Sequence, residues 1–369
     1  MTVVLWILAI LAVPTLIFFG WMAWVFLKEF FSPSPDEDTT AAEAAQKLGL
    51  LPAERQNTKN AGPLPAGWEA ALGRVADGDW QAAAELLRGI GRDWDRRSMA
   101  VSFLSGLAAE DDTWLLAWES AHPDDPDAAV VRAAGTVSVA GQLRGAKRAE
   151  YTTEEQFAGF HRMLRASREE IARAAALDPD DPTPYITEIT VALGLGYPHS
   201  EMDKLWAEIT ARAPHHYEGH WRALQYWCAK WRGSEKLAME FAEQAAAKAP
   251  LGSLLTVLPL IAHFEHDDSD DTEGDRTPEM VARVDAGLAD AAAADPDHPR
   301  LPELRHLLAY YLSLQDRDEM AIEQFRLVDG HVNALPWRYR GSGERMTAYY
   351  CKIRDSSAQA VVAGADGTA

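Results

Sequence analysis

At 369 residues the chain exceeds one ordinary domain, although stacked helical repeats reach that length as a single cooperative array. Its 47% apolar content, with 13 Trp, 10 Tyr and 11 Phe, supplies a large core and excludes disorder throughout. Against 35 basic residues stand 56 acidic ones, and the net charge of −21 argues against nucleic acid as a general partner.

Residues 3–27 are 25 consecutive positions without a charge, enough to span a bilayer with some tilt. Trp6, Trp21 and Trp24 lie towards the ends of this run, where aromatic rings suit the membrane interface. No basic leader and no small-residue cleavage site marks a removable signal peptide. Residues 1–31 therefore read as a single-pass transmembrane anchor, with the membrane as a partner through residues 3–27. Lys28 and Lys47 follow the span and only the α-amine precedes it, which places the bulk of the chain in the cytoplasm at the cell membrane. Cys228 and Cys351 form no framework by spacing, in agreement with a reducing compartment. Residues 32–67 open with Ser-Pro-Ser-Pro-Asp-Glu-Asp and read as a flexible Pro-rich acidic linker, interrupted by a short helix over 41–50.

From residue 68 the pattern changes to helical periodicity. The turn Gly78-Asp79-Trp80 leads into a stripe of Ala83, Leu87 and Ile90. Residues 99–106 and 113–121 suggest a second pair, closed by His122-Pro123-Asp124-Asp125-Pro126, in which Asp caps and Pro enters the next helix. Residues 156–177 read as one long helix. The most regular unit covers residues 213–250. In it Tyr217, Trp221, Leu224, Cys228 and Trp231 fall at i, i+4, i+7, i+11 and i+14, one face of a helix. Gly233-Ser234 breaks that helix, and Leu237, Ala238, Phe241, Ala245 and Ala249 line the next before Pro250. Cys228, on the apolar face, reads as a buried free thiol. Two insertions interrupt the array, a basic one over 141–153 and an acidic one over 266–278.

Trp221, Leu224, Ala238, Phe241, Ala245 and Pro250 resemble the repeat pattern of tetratricopeptide proteins, with Cys228 where an aromatic is usual and Gln225 where a small residue is usual. Leu308, Ala309, Leu312, Ala321 and Phe325 give a second match, and Trp206 with Pro214 a partial one. Pro179, Pro214 and Pro250 stand 35 and 36 residues apart, near the roughly 34-residue period of that family. The wording LDPDDPTPY, ARAPHHY and APLGSLL also resembles an uncharacterised bacterial family with irregular repeats, for which no activity is implied. The resemblance covers about residues 68–335. It implies an all-α fold: an irregular tetratricopeptide-like solenoid over 68–353 whose last helix, 346–353, caps an apolar end, followed by a disordered tail over 354–369.

Candidate chemistry is sparse. His215, His216 and His220 cluster, and His216 and His220 share a helix face if the helix has begun, with Cys228 or a residue from another unit as a third ligand. Two ligands do not close a site, so no metal centre is expected and His216 and His220 are the weak candidates for one. His263-Phe264-Glu265-His266 is H-x-E-H rather than the H-E-x-x-H of zinc proteases. The acidic insertion puts Ser269 and Met280 at the first and twelfth positions of a calcium loop, where Asp and Glu are needed. Neither a phosphate loop nor a nucleophile elbow is present, and no cofactor is expected. On the helical wheel His216, His220, Ala223, Trp227 and Lys230 form a second line. In repeat proteins such a line faces a concave partner surface, which makes Trp227, Lys230 and His220 the candidate partner-binding residues. The competing assignment of Trp227 is packing on the preceding unit. The function expected is a membrane-anchored helical-repeat scaffold for a protein or peptide partner. The alternatives are an enzyme with a His/Asp/Glu site assembled between repeats, and an extracytoplasmic binding protein if the topology is reversed.

Overall fold

The computed structural model describes residues 35–145, 153–267 and 272–366. The anchor over residues 3–27 lies outside the described residues, and among these no helix is long and apolar enough to cross a membrane. The expected turn chemistry sets where helices begin. Asp79, Asp93 and Asp125 accept the backbone N–H groups of Ala82, Arg96 and Asp127. Thr153 and Gln156 form a reciprocal capping box, while Ser234 and Thr277 accept from Leu237 and Met280. Each satisfies a donor that a first helical turn leaves unpaired.

Regular structure among the described residues is all helical. The first helices are α1 (Pro35–Lys47), α2 (Trp68–Ala76), α3 (Trp80–Ile90), α4 (Trp94–Glu110) and α5 (Thr113–Ala121). Two long ones follow, α6 (Pro126–Arg144) and α7 (Glu154–Leu177), the second being the single helix expected over 156–177. Next come α8 (Thr183–Leu195), α9 (His199–Arg212), α10 (Tyr217–Trp227), α11 (Glu235–Lys248) and α12 (Leu258–Phe264). The last four are α13 (Pro278–Ala293), α14 (Leu301–Leu314), α15 (Asp318–Val328) and α16 (Glu344–Asp366). Neighbours in sequence pack on one another, as in α2 on α3, α6 on α7, α10 on α11 and α14 on α15, which gives a repeat-like array. Three apolar clusters succeed each other along it, one through α2–α6, one through α6–α11 and one through α10–α16. Helix α6 contributes to the first two. Ala128, Val130, Val131, Ala133, Val137 and Ala140 are buried around most of its circumference, so it carries no amphipathic stripe.

Four expectations are corrected. Residues 40–67 are not a flexible linker but a strap packed on the C-terminal helices. Ala44, Ala45 and Leu50 are buried, and α1 lies against α16. Asn57 pairs with His331 in a parallel bridge, where Val332 N–H donates to Asn57 O at 2.9 Å. Asn333 N–H donates to Asn60 O at 3.1 Å. An extended, Pro-rich segment suits this role because its own N–H groups are few and its unfolded entropy is low. The tail is not disordered from 354 either. Helix α16 continues to Asp366, and Arg354, Ser357 and Ala358 are buried in it. Helix α10 stops at Trp227, because Cys228 turns to an extended backbone, and Trp231 leaves the stripe to stand 41% exposed. The turn that follows is tight: a Cβ on Gly233 would lie 1.8 Å from Trp227 O, so only glycine fits. Trp221 and Phe241, expected in the core, are half-buried at its edge.

Candidate functional site

The three clusters meet at a polar joint built from the first turns of α4, α10 and α14. His216 caps α10: its Nδ1 accepts the N–H of Gly219 at 3.2 Å, so Nε2 is the donor to Trp94 O, 3.0 Å away. Tyr217 N–H donates to Asp95 Oδ1 at 3.1 Å. Glu218, 6% exposed, lies between Arg222 at 2.6 Å and Arg300 at 2.7 Å. Burial alone would raise its pKa, but the two guanidinium groups overcome that and hold it at about 2. Arg300 also pairs with Glu303 at 2.6 Å, and its buried Nε has no hydrogen-bond partner among the described residues. A buried donor left in this state is unusual in a folded chain.

That nitrogen belongs to a residue on the wall of a cavity of about 260 Å³, roofed by the strap. Lys59 and Asn60 of the strap, Phe103 of α4, Arg300, Glu303 and Arg338 line it. Three cations thus face one carboxylate, in a chain whose net charge is −21. Among the described residues Lys59 and Arg338 form no ion pair, and Arg338 rests over the Trp221 ring at 5.8 Å. Tyr217, buried beside them, has its hydroxyl pKa raised by burial and by Glu303, with Arg300 and Arg338 acting in the opposite sense. Such a pocket can hold an anionic group.

The residues singled out from sequence go elsewhere. His220 is 4% exposed; its Nδ1–H donates to His216 O at 2.9 Å and its ring meets Trp206 edge to face at 4.8 Å. Burial lowers its pKa to about 4. Trp227 is half-buried against His199, ring centres 4.8 Å apart, and against Tyr226, so it packs on the preceding unit. Lys230 lies beyond the end of α10, where it pairs with Glu265 at 2.5 Å and donates to Tyr339 Oη at 2.9 Å. Burial opposes its charge, yet Glu265 raises its pKa above the ordinary lysine value. The helical line through His220, Trp227 and Lys230 therefore does not form, because the helix ends before Lys230. Nor do His216, His220 and Cys228 make a metal centre: both His216 nitrogens are committed, and Cys228 donates to Leu224 O at 3.3 Å. Burial pushes that thiol up to about 12.

Sequence reasoning missed Lys59, Arg300 and Arg338. Lys59 and Arg300 sit in loops and Arg338 in the 3-10 turn Trp337–Tyr339, none of which carries helical periodicity. Comparison with family models, curated proteins and solved structures gives no match.

Proposed function

We propose that the chain is a membrane-anchored, tetratricopeptide-like helical-repeat scaffold that docks a carboxylate-rich segment of a protein partner in the cavity beneath the strap. One observation carries this reading: Lys59 and Arg338 line that cavity without an ion-pair partner among the described residues, beside Arg300, which is paired with Glu218 and Glu303. An overall charge of −21 repels acidic segments at long range, so a local cationic pocket selects the one that fits. The uncharged run over residues 3–27 supports the anchor, and Lys28 after it supports a cytoplasmic array.

The test is fluorescence anisotropy of the full-length chain with a labelled hexaglutamate peptide, against a hexalysine control. Binding should be saturable and weaken with salt. Arg338→Ala and Lys59→Ala should each reduce affinity about tenfold, or ~1.4 kcal/mol. Unchanged affinity in the double variant would sink the pocket as the docking site. For the topology, a reporter fused after Ala369 should report cytoplasm. Alkaline phosphatase activity from that fusion in intact cells moves the same binding role to the other side of the membrane.

A further inference from the structure

We infer that His263, Asp267 and Asp275 form a site for one divalent transition-metal ion, Zn²⁺ or Mn²⁺, at the base of the acidic insertion. His263 occupies the last turn of α12, and the chain then winds one more turn, Asp267 N–H donating to His263 O at 2.9 Å. That turn brings Asp267 Oδ2 back to 3.8 Å from His263 Nε2. From the other end of the insertion, the 3-10 turn Gly274–Arg276 delivers Asp275 Oδ1 to 3.1 Å from the same nitrogen. One ligand atom from each residue lies within 4.8 Å of the other two.

Asp275 provides the independent observation. It is 4% exposed, and among the described residues its carboxylate accepts a hydrogen bond from His263 alone. No arginine or lysine is paired with it among the described residues. Arg276 turns away to Leu314 O and Asp316, and Arg283 serves Glu243 and Glu279. A carboxylate this deeply buried needs a cation or several donors to offset its lost hydration, and one imidazole supplies neither in full. Its backbone is held as well: Gln315 Nε2 donates to Asp275 O at 2.9 Å, which fixes the turn that presents the side chain.

The donor set decides the class of ion. One imidazole nitrogen with two carboxylates suits Zn²⁺ or Mn²⁺, whereas Ca²⁺ and Mg²⁺ prefer all-oxygen sites. Ligand atoms at about 2.1 Å from a tetrahedral ion stand about 3.4 Å apart. The separations of 3.1 and 3.8 Å bracket that value, and the exposed Asp267 supplies the remaining adjustment. On binding, the lone pair of Nε2 goes to the metal and any proton there leaves to solvent. Water completes the shell. The ion ties the end of α12 to the turn before α13, in a different part of the molecule from the cationic pocket.

The measurement is calorimetric titration of the EDTA-treated full-length chain with ZnCl₂ and, separately, with MnCl₂ and CaCl₂. One Zn²⁺ or Mn²⁺ per chain is expected, with affinity lowered at least tenfold in His263→Gln and in Asp275→Asn. The exposed His215→Ala should bind as the wild type does. Should Asp275→Asn fail to fold, Asp267→Asn at the more exposed ligand and His263→Gln decide the matter through the same titration. Absence of stoichiometric binding of either transition metal overturns the site and leaves an ion-pair triad. Undiminished binding in the variants that fold also overturns it, since the ion then sits elsewhere.

Discussion

The carboxylate of Asp329 reaches the backbone N–H of Leu51, 2.7 Å away, across 278 positions of sequence. The same carboxylate accepts from Gln56 Nε2 at 3.0 Å, while Arg354 donates to Leu51 O at 2.8 Å. One acid thus fastens the strap to the turn after α15. Replacing Asp329 with Ala strands the Leu51 N–H and leaves the buried Arg354 with Asp355 at 2.7 Å as its carboxylate, and should cost about 1–3 kcal/mol. Urea melts check this. A loss below about 0.5 kcal/mol would mean the strap contributes nothing to stability.

Acid should weaken the fold in two stages, because His220, His306 and Glu218 are among the groups that release protons more readily when folded. Burial lowers His220 and His306 from 6.5 to about 4. His306 is locked neutral, since Nδ1 accepts from Trp337 Nε1 at 3.0 Å and Nε2 donates to Ala61 O at 2.8 Å. Each folded pKa is depressed, so its contribution is complete above the unfolded value and is lost as pH falls from about 6.5 to 4. It is up to about 3 kcal/mol per histidine at ~1.4 kcal/mol per pH unit. Glu218, held at about 2 against 4.5, adds a second loss between those values. Stability measured against pH should show both windows, and His306→Gln should flatten the upper one. A flat profile from pH 7 to 4 would contradict the buried, neutral histidines.

Two tryptophans should respond differently to truncation. Trp337 is fully buried between His306, Tyr310, Phe325 and Tyr350, so Trp337→Ala should lose about 3–5 kcal/mol. Trp221, half-buried beneath Arg338, should lose about 1–2 kcal/mol, most of it packing area. Equal losses in thermal or urea melts would show that Trp221 belongs to the core after all.

Lys230 holds a contact between segments rather than a free surface. Its partner Glu265 has a side chain 2% exposed and also accepts from Gln225 Nε2 and Tyr339 Oη, at 2.9 and 2.6 Å. Lys230→Ala should destabilise by about 1–2 kcal/mol, and Lys230→Glu by more, since a second carboxylate then meets Glu265. Burial and Glu265 hold the Tyr339 phenol up at about 12, and losing the ammonium removes the group that opposes them. A melt unchanged in Lys230→Glu would return the residue to the pool of partner-binding candidates.

The helices from residue 68 onwards were legible because their signals are local. Asp79, Ser234 and Thr277 sit within three residues of the N–H groups they cap, and Leu224, Ala238 and Phe325 carry the 3.6-residue period of faces that do pack. The strap was not legible. Nothing near Leu50 or Gln56 in sequence announces Asp329 or Arg354, and Pro-rich composition reads the same whether or not a docking face exists elsewhere. Ala358 and Ser357 misled for a similar reason, since small residues suit both a tail and a close helix–helix contact. The wheel through Trp227 and Lys230 failed on a boundary: one residue of extended backbone at Cys228 cancels the periodicity that placed them together. Arg300 and Arg338 carry no local signature at all, because the Glu218 carboxylate and the Trp221 ring they meet lie far from them in sequence.

An open stack of repeats unravels from its ends, since each terminal unit has a neighbour on one side only. Here the first described helix, α1, rests on the last, α16, and the strap covers the turn between α15 and α16. Neither α1 nor α16 is therefore a free element. Fraying at one requires peeling away the other, so amide hydrogens of α1 and α16 should exchange together and through the same opening event. The Leu50 and Ala358 regions, far apart in sequence, would then be among those that a partial unfolding leaves intact longest.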